Sequence, residues 1–161
     1  MKTLSNFILP AACVLLLSGM YIIPYYYYND LPDQVPVHFN SEGKVNAMGG
    51  KHQIYFIPMI ATALFLFIEL LSKVIPFIIN RFDYLDTEKQ EFLRLAILML
   101  RTFGLLFTAV FFYITLATVK IALGYWEGIS SRLTFTIFFF LFLIMILFVY
   151  RFAKIKEGSF R

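Results

Sequence analysis

The sequence predicts an all-α polytopic membrane protein, a four-helix transmembrane bundle with a structured outer loop between the first and second helices. Three observations carry this. Hydrophobic residues make up 60% of the 161-residue chain and charged residues only 15%, too thin a polar cover for a water-soluble domain of this length. The charges cluster and leave four apolar runs between them, each long enough at ~1.5 Å per residue for a ~30 Å hydrocarbon core. Twenty Phe and ten Tyr suit lipid and its interface, where aromatic rings settle.

The first span is expected at residues 7–28. Lys2 followed by an apolar run resembles a secretory signal, but the run continues well past Gly19 without a small-x-small cleavage pair, so it reads as an uncleaved anchor. A lipoprotein signal at Cys13 is disfavoured, because the apolar stretch before it is short and Pro10 stands where Leu is expected. Pro10 is tolerable in a first helical turn, and Pro24 loosens the far end. Tyr25, Tyr26, Tyr27 and Tyr28 then read as an interfacial belt. Cys13 is the only cysteine, which excludes an intrachain disulfide.

Residues 29–53 form the longest polar connection, and Pro32, Pro36, Gly43, Gly49 and Gly50 argue against a continuous helix through it. The second span is expected at 54–75, reaching toward Ile79, with Pro58 near its start and Pro76 near its end. A short charged connection follows, in which Asp86, Thr87 and Glu88 suit a helix N-terminus. The third span is expected at 92–119 and the fourth at 133–150, joined through Gly124, Trp126, Gly128 and Arg132. The whole reads as one membrane domain, residues 1–161, without internal repeats.

The net charge of +4 arises from basic residues beside the spans. They set topology, and no basic cluster interleaved with aromatics points to nucleic acid. With both termini cytoplasmic, the inner side holds Lys2, Arg81, Lys89, Arg94, Arg151, Lys154, Lys156 and Arg161, eight against Lys44, Lys51, Lys120 and Arg132 outside. The long loop then faces outward.

Glu69 and Arg101 lie inside spans, where a lone charge costs at least ~2.5–3.5 kcal/mol on insertion scales, so each needs a partner. In an antiparallel hairpin of the second and third spans, residues whose numbers add to about 170 face each other. Glu69 then meets Arg101, Thr62 meets Thr108 and Tyr55 meets Thr115, at heptad spacing on both helices. Gly104 and Thr108 make a small-xxx-small pair that permits close approach. A structural ion pair is expected rather than a proton or ion relay, since no chain of further acids continues from it. Lys73, four residues on from Glu69, is the second-ranked partner.

The loop carries Leu-Pro-Asp-Gln-Val-Pro-Val-His-Phe-Asn-Ser-Glu-Gly at residues 31–43 and Lys51 beyond it. Directly after a first span, this resembles the bacterial membrane domain of unknown function found at the front of SdpI-type immunity proteins. The shared pattern there is Leu-Pro-x-x-[Ile/Val]-Pro-x-His-[aromatic]-[Asn/Asp]-x-x-Gly followed by Lys. The resemblance implies self-protection from a toxic peptide, or signalling of its presence, in the cell membrane. SdpI-type proteins carry further spans after this domain, for which 161 residues leave no room. Pro36, His38, Asn40, Gly43 and Lys51 are the candidate ligand- or partner-binding residues. If the segment is extended, His38 and Asn40 share a side; the plainer reading is that His38 hydrogen-bonds loop backbone.

A metal at His38 and His52, with Asp30, Asp33 and Glu42 as oxygen donors, lacks any recognised ligand spacing, and no cofactor is expected. No nucleophile elbow, phosphate loop or paired-acid motif supports an enzyme. The favoured function is a binding or sensing protein in the bilayer whose outer loop engages a peptide, a lipid or a partner protein, with a peptide toxin or another membrane protein as the named partners. A small enzyme or metal protein using His38, and an oligomeric transporter or accessory subunit, are the competing readings.

Overall fold

The computed structural model describes residues 4–82 and 87–158, with side chains described for 6–78, 89–132 and 135–155. Lys2, Asp86 and Arg161 lie outside the described residues, and nothing is said of the side chains of Arg81, Glu88 and Lys156. Among the described residues there are four α-helices: α1 (Leu9–Tyr26), α2 (Phe56–Phe82), α3 (Thr87–Ala122) and α4 (Ser131–Gly158). All four contain windows long and apolar enough to cross a membrane. Between α1 and α2 stand two antiparallel strands, β1 (Gln34–Phe39) and β2 (Val45–Gly50), and a 3₁₀ turn, Lys51–Tyr55.

A π-helical turn, Leu4–Ile8, leads into α1, and Pro10 falls at the junction, where the change of hydrogen-bond pattern accommodates its missing N–H. Pro24 lies in the last turn, and the helix ends two residues later, slightly short of the expected boundary at 28. The other helices outrun the expected spans: α2 continues to Phe82, α3 begins at Thr87 and reaches Ala122, and α4 reaches Gly158. Helical geometry does not stop at the hydrocarbon boundary, so charged flanks continue it into the interface. At the far end of α3 the amides of Gly124 and Tyr125 return to the carbonyls of Ile121 and Lys120, and Gly124 adopts φ +77°. This is a Schellman ending, which the left-handed glycine makes possible.

Helix α1 packs along α3 and against α2, so the core lies among these three. Leu17, Met20 and Ala61 are buried together, flanked by Ile57, Phe65, Phe111 and Phe112. Gly19 admits the Phe112 ring, and Gly104 admits Ile68 at distances a side chain would obstruct. Helix α4 leans on α3 through Phe148 against Phe103 and Phe152 against Phe92, and only Leu141 of its side chains is buried among those described. On the rest of α4, Phe135, Phe138, Phe139, Phe140, Phe142, Leu143, Ile146 and Leu147 are exposed, as expected where lipid is the solvent.

A second cluster closes the hairpin end of the bundle: Leu31, Val35, Ile54 and Val119, with Ile23, Tyr27, Tyr55, Ala122 and Leu123 around them. Cations cap the tyrosine run. Lys51 lies 4.6 Å from the Tyr28 ring centre and Lys120 5.4 Å from that of Tyr27, while Tyr25 and Tyr26 stay exposed.

Candidate functional site

The loop motif divides into anchors and rim. Leu31 and Val35 are buried at 4% and 0% exposure, and Pro36 is buried beside them. These residues fix β1 onto the helix ends through the apolar cluster. Lys51 fastens the base of the hairpin: its ammonium donates to the Leu31 carbonyl at 3.0 Å and its backbone amide to the Asp33 carbonyl at 2.9 Å. Lys51 is thus a clamp between the exit of α1 and the start of the 3₁₀ turn, a role its charge and reach explain.

At the tip, the Asn40 amide donates to the Lys44 carbonyl and the Gly43 amide to the Asn40 carbonyl, both at 2.9 Å. The Asn40 side-chain oxygen accepts from the amides of Glu42 and Lys44 at 3.0 and 2.9 Å. Asn opening the turn and Gly43 at φ +80° closing it follow from turn chemistry. Gly43 carries a second constraint. Its carbonyl accepts from the Ile129 amide at 2.8 Å, and a β-carbon at Gly43 would run into the Ile129 carbonyl. The α3–α4 connection is thereby tied to the hairpin tip, and the Tyr113 hydroxyl accepts from the Ser130 amide on its other side.

Asn40 therefore does not share a strand face with His38: it lies beyond the end of β1, and its amide is spent on the turn. The alternation expected of an extended segment also fails within the strand, because pairing passes from Pro36–Met48 to His38–Ala47 and then to Phe39–Val45. Val37 and Asn46 are each the extra residue of a bulge, which redirects their neighbours. The outcome is a contact not foreseen from spacing: His38 Nδ1 stands 2.6 Å from the Asn46 side-chain oxygen. With that oxygen facing it, the ring donates from Nδ1, and His38 remains exposed. His52 sits in the 3₁₀ turn at the other end of the hairpin, against Gly50. Among the described residues no three His, Cys, Asp or Glu side chains gather as a metal would require.

Beneath β1 the hairpin-side ends of the helices part. One compartment of about 350 Å³ lies between Pro36, Val37, Gln53, Ile57 and the two threonines Thr115 and Thr118. Its neighbour, of about 380 Å³, shares Pro36, Val37, Ile57 and Thr118 and runs toward α4, with His38, Asn40, Ser41 and Tyr113 among its lining. Together they form an apolar crevice with a polar rim supplied by the motif. Pro36, His38, Asn40 and Gly43 all border it, whereas Lys51 holds the hairpin from outside.

Deeper in the bundle the structure joins Glu69 and Arg101. The Arg101 Nε and a terminal nitrogen donate to the two Glu69 oxygens at 3.0 and 2.7 Å, the pair being 17% and 7% exposed. Lys73 is exposed and stands apart from this bidentate contact. Asn6, which the sequence did not single out, accepts a further bond from Arg101 at 3.0 Å. Of the flanking polar residues, Thr108 donates to the Gly104 carbonyl of its own helix and Thr115 is buried without a partner, while Thr62 and Tyr55 turn to α1. Thr62 meets the Tyr21 hydroxyl at 3.1 Å, and Tyr55 stacks with Tyr21 and Tyr28. The two-helix register left no place for α1, which occupies the groove between the other helices.

Asn46, Asn6 and Thr118 are the polar residues that sequence reasoning missed. A hairpin closed by an Asn-x-x-Gly turn brings position 46 near His38, although the bulge there makes Ala47 the paired residue. Asn6 and Thr118 carry no local signal.

The family model for a domain of unknown function, DUF1648, matches residues 15–62, from α1 through the hairpin into the first turns of α2. No curated protein and no solved structure matches the chain.

Proposed function

We propose that this multi-pass membrane protein is a non-catalytic receptor that binds a membrane-active peptide at its hairpin end, protecting the cell from it or signalling its presence. The observation that carries this reading is the crevice under β1, whose rim is made of the exposed His38 and the Asn40 turn and whose walls are apolar. An amphipathic ligand needs both, in a concave site of a few hundred Å³. The match of residues 15–62 to a domain of unknown function supports treating α1, hairpin and early α2 as one unit. The likeness of its motif to the front domain of SdpI-type proteins supports peptide immunity. We place the protein in a bacterial cytoplasmic membrane with both termini inside, on the eight-to-four basic asymmetry, so that the crevice faces outward.

The test is expression in a sensitive host challenged with a panel of secreted membrane-active bacterial peptides. Raised resistance to at least one is expected, with His38→Ala abolishing it at unchanged protein level. His38→Asn keeps an amide able to hydrogen-bond but not to titrate near neutral pH, so retained protection in that variant separates recognition from acid–base chemistry. Unaltered sensitivity to every peptide overturns the proposal.

A further inference from the structure

The two-stranded sheet has two outer edges, and the fold treats them differently. The edge of β1 lies against α3, and Pro36 has no N–H to leave open there. The edge of β2 is uncovered: of the other elements only β1 packs closely against it, and Asn46, Ala47 and Met48 are exposed. Among the described residues, no backbone amide of residues 45–50 finds a backbone partner outside the ladder with β1.

The register identifies the open groups. The Lys51 amide bonds the Asp33 carbonyl, and bonded pairs recur every second residue in an antiparallel ladder, so Val35 and Gly49 form the next one. Gln34–Gly50 and Pro36–Met48 are then the non-bonded pairs, whose backbone groups point away from the partner strand. Met48 thus turns its N–H and C=O to the open edge, and Gly50 its N–H. The bulge at Asn46 confines the regular part of this edge to residues 47–50.

Exposed edges are commonly guarded by a charge or a proline within the strand. The sequence of β2, Val-Asn-Ala-Met-Gly-Gly, has neither, and Gly49 and Gly50 carry no side chain to shield the backbone. Donors and acceptors at strand spacing are complemented by another extended backbone. Lysines stand just beyond both ends, Lys44 and Lys51, so a second copy of the strand would set lysines side by side whichever way it ran. Asn46, in contrast, joins β2 to His38 on the crevice rim, so a peptide along this edge is contiguous with the site already described.

We propose that the peptide is captured by strand addition: an extended segment of it pairs with residues 47–50, bonding Met48 and Gly50, as a third strand of the sheet. This rests on reading the hairpin end as a peptide receptor and supplies its mode of capture.

The probe is a synthetic strand of alternating threonine and valine with a Gly-Gly-Cys end. It is tethered to Lys44→Cys in a Cys13→Ser background of the full chain in lipid nanodiscs, which sets an effective concentration on the order of mM. Amide hydrogen exchange at Met48 and Gly50 is expected to slow about tenfold. The same strand N-methylated along its bonding edge keeps its side chains and loses its donors, and should give no slowing. Met48→Pro removes an outward N–H without touching the ladder and should abolish the slowing at Gly50, while Met48→Leu should preserve it. No slowing at either amide, or equal slowing with the methylated strand, overturns the inference. So does exchange at Met48 that is already slow in the untethered chain and quickens on dilution into lipid, which would place a second copy on the edge. In the resistance assay Met48→Pro should remove protection and Met48→Leu keep it. Protection that survives Met48→Pro but not His38→Ala sinks strand addition alone. An edge that pairs with the tethered strand in a chain protecting against no peptide sinks the peptide receptor and leaves β2 an acceptor for some other strand. Should Met48→Pro fail to insert, the two tethered strands decide.

Discussion

Replacing Arg101 with Met removes two bonds to Glu69 and one to Asn6 in a single step. Glu69 is only 17% exposed, so its carboxylate stays in an apolar setting without its guanidinium. Breaking one side of a buried pair typically costs ~3–5 kcal/mol, because an uncompensated charge remains. Glu69→Gln keeps an amide oxygen that accepts one Arg101 bond but leaves the guanidinium, 7% exposed, without a counter-charge, so a loss of the same order, ~3–5 kcal/mol, is expected. The double replacement Glu69→Met with Arg101→Met removes both charges and both desolvation penalties, and should fall within ~1 kcal/mol of the parent protein. The coupling in this Met/Met cycle is then at least ~2 kcal/mol. Unfolding in mixed micelles of rising SDS content, followed by fluorescence of the sole tryptophan, Trp126, measures it. A double variant as unstable as the sum of the two Met single variants would refute the reasoning and make Arg101 a packing residue whose charge is incidental.

Gly43→Ala places a side chain at φ +80° and against the Ile129 carbonyl, so the hairpin tip and the α3–α4 connection should loosen together. The expected loss is ~1–3 kcal/mol, visible as faster hydrogen exchange at both Gly43 and Ile129; faster exchange at only one would deny the tie between them. For topology, single cysteines at Ser41 and Lys154 in a Cys13→Ser background should be labelled by an impermeant reagent from opposite sides of the membrane, Ser41 from outside. The reverse pattern would place the crevice in the cytoplasm.

What the sequence determined by itself was set by solvent and by covalent geometry. Lipid demands long apolar runs with internally satisfied backbone, so four helices could be placed from composition and charge spacing. Turn chemistry is equally local: Asn40 and Gly43 announce a tight turn wherever the chain puts it. The Glu69–Arg101 contact was also within reach, because a charge in hydrocarbon must find its opposite at the same depth. The bulges at Val37 and Asn46, which join His38 to Asn46 and leave Asn40 to the turn, depend on how the strands settle on the helix ends. The position of α1 is likewise a three-body result: it fills the groove between α2 and α3, draws Thr62 and Tyr55 to itself, and carries Asn6 to Arg101. Thr115 and Thr118 look on paper like any other helical threonines. Only the packing around α3 leaves their hydroxyls buried without a partner, because whether a hydroxyl is satisfied is a property of the space around it and not of the residue.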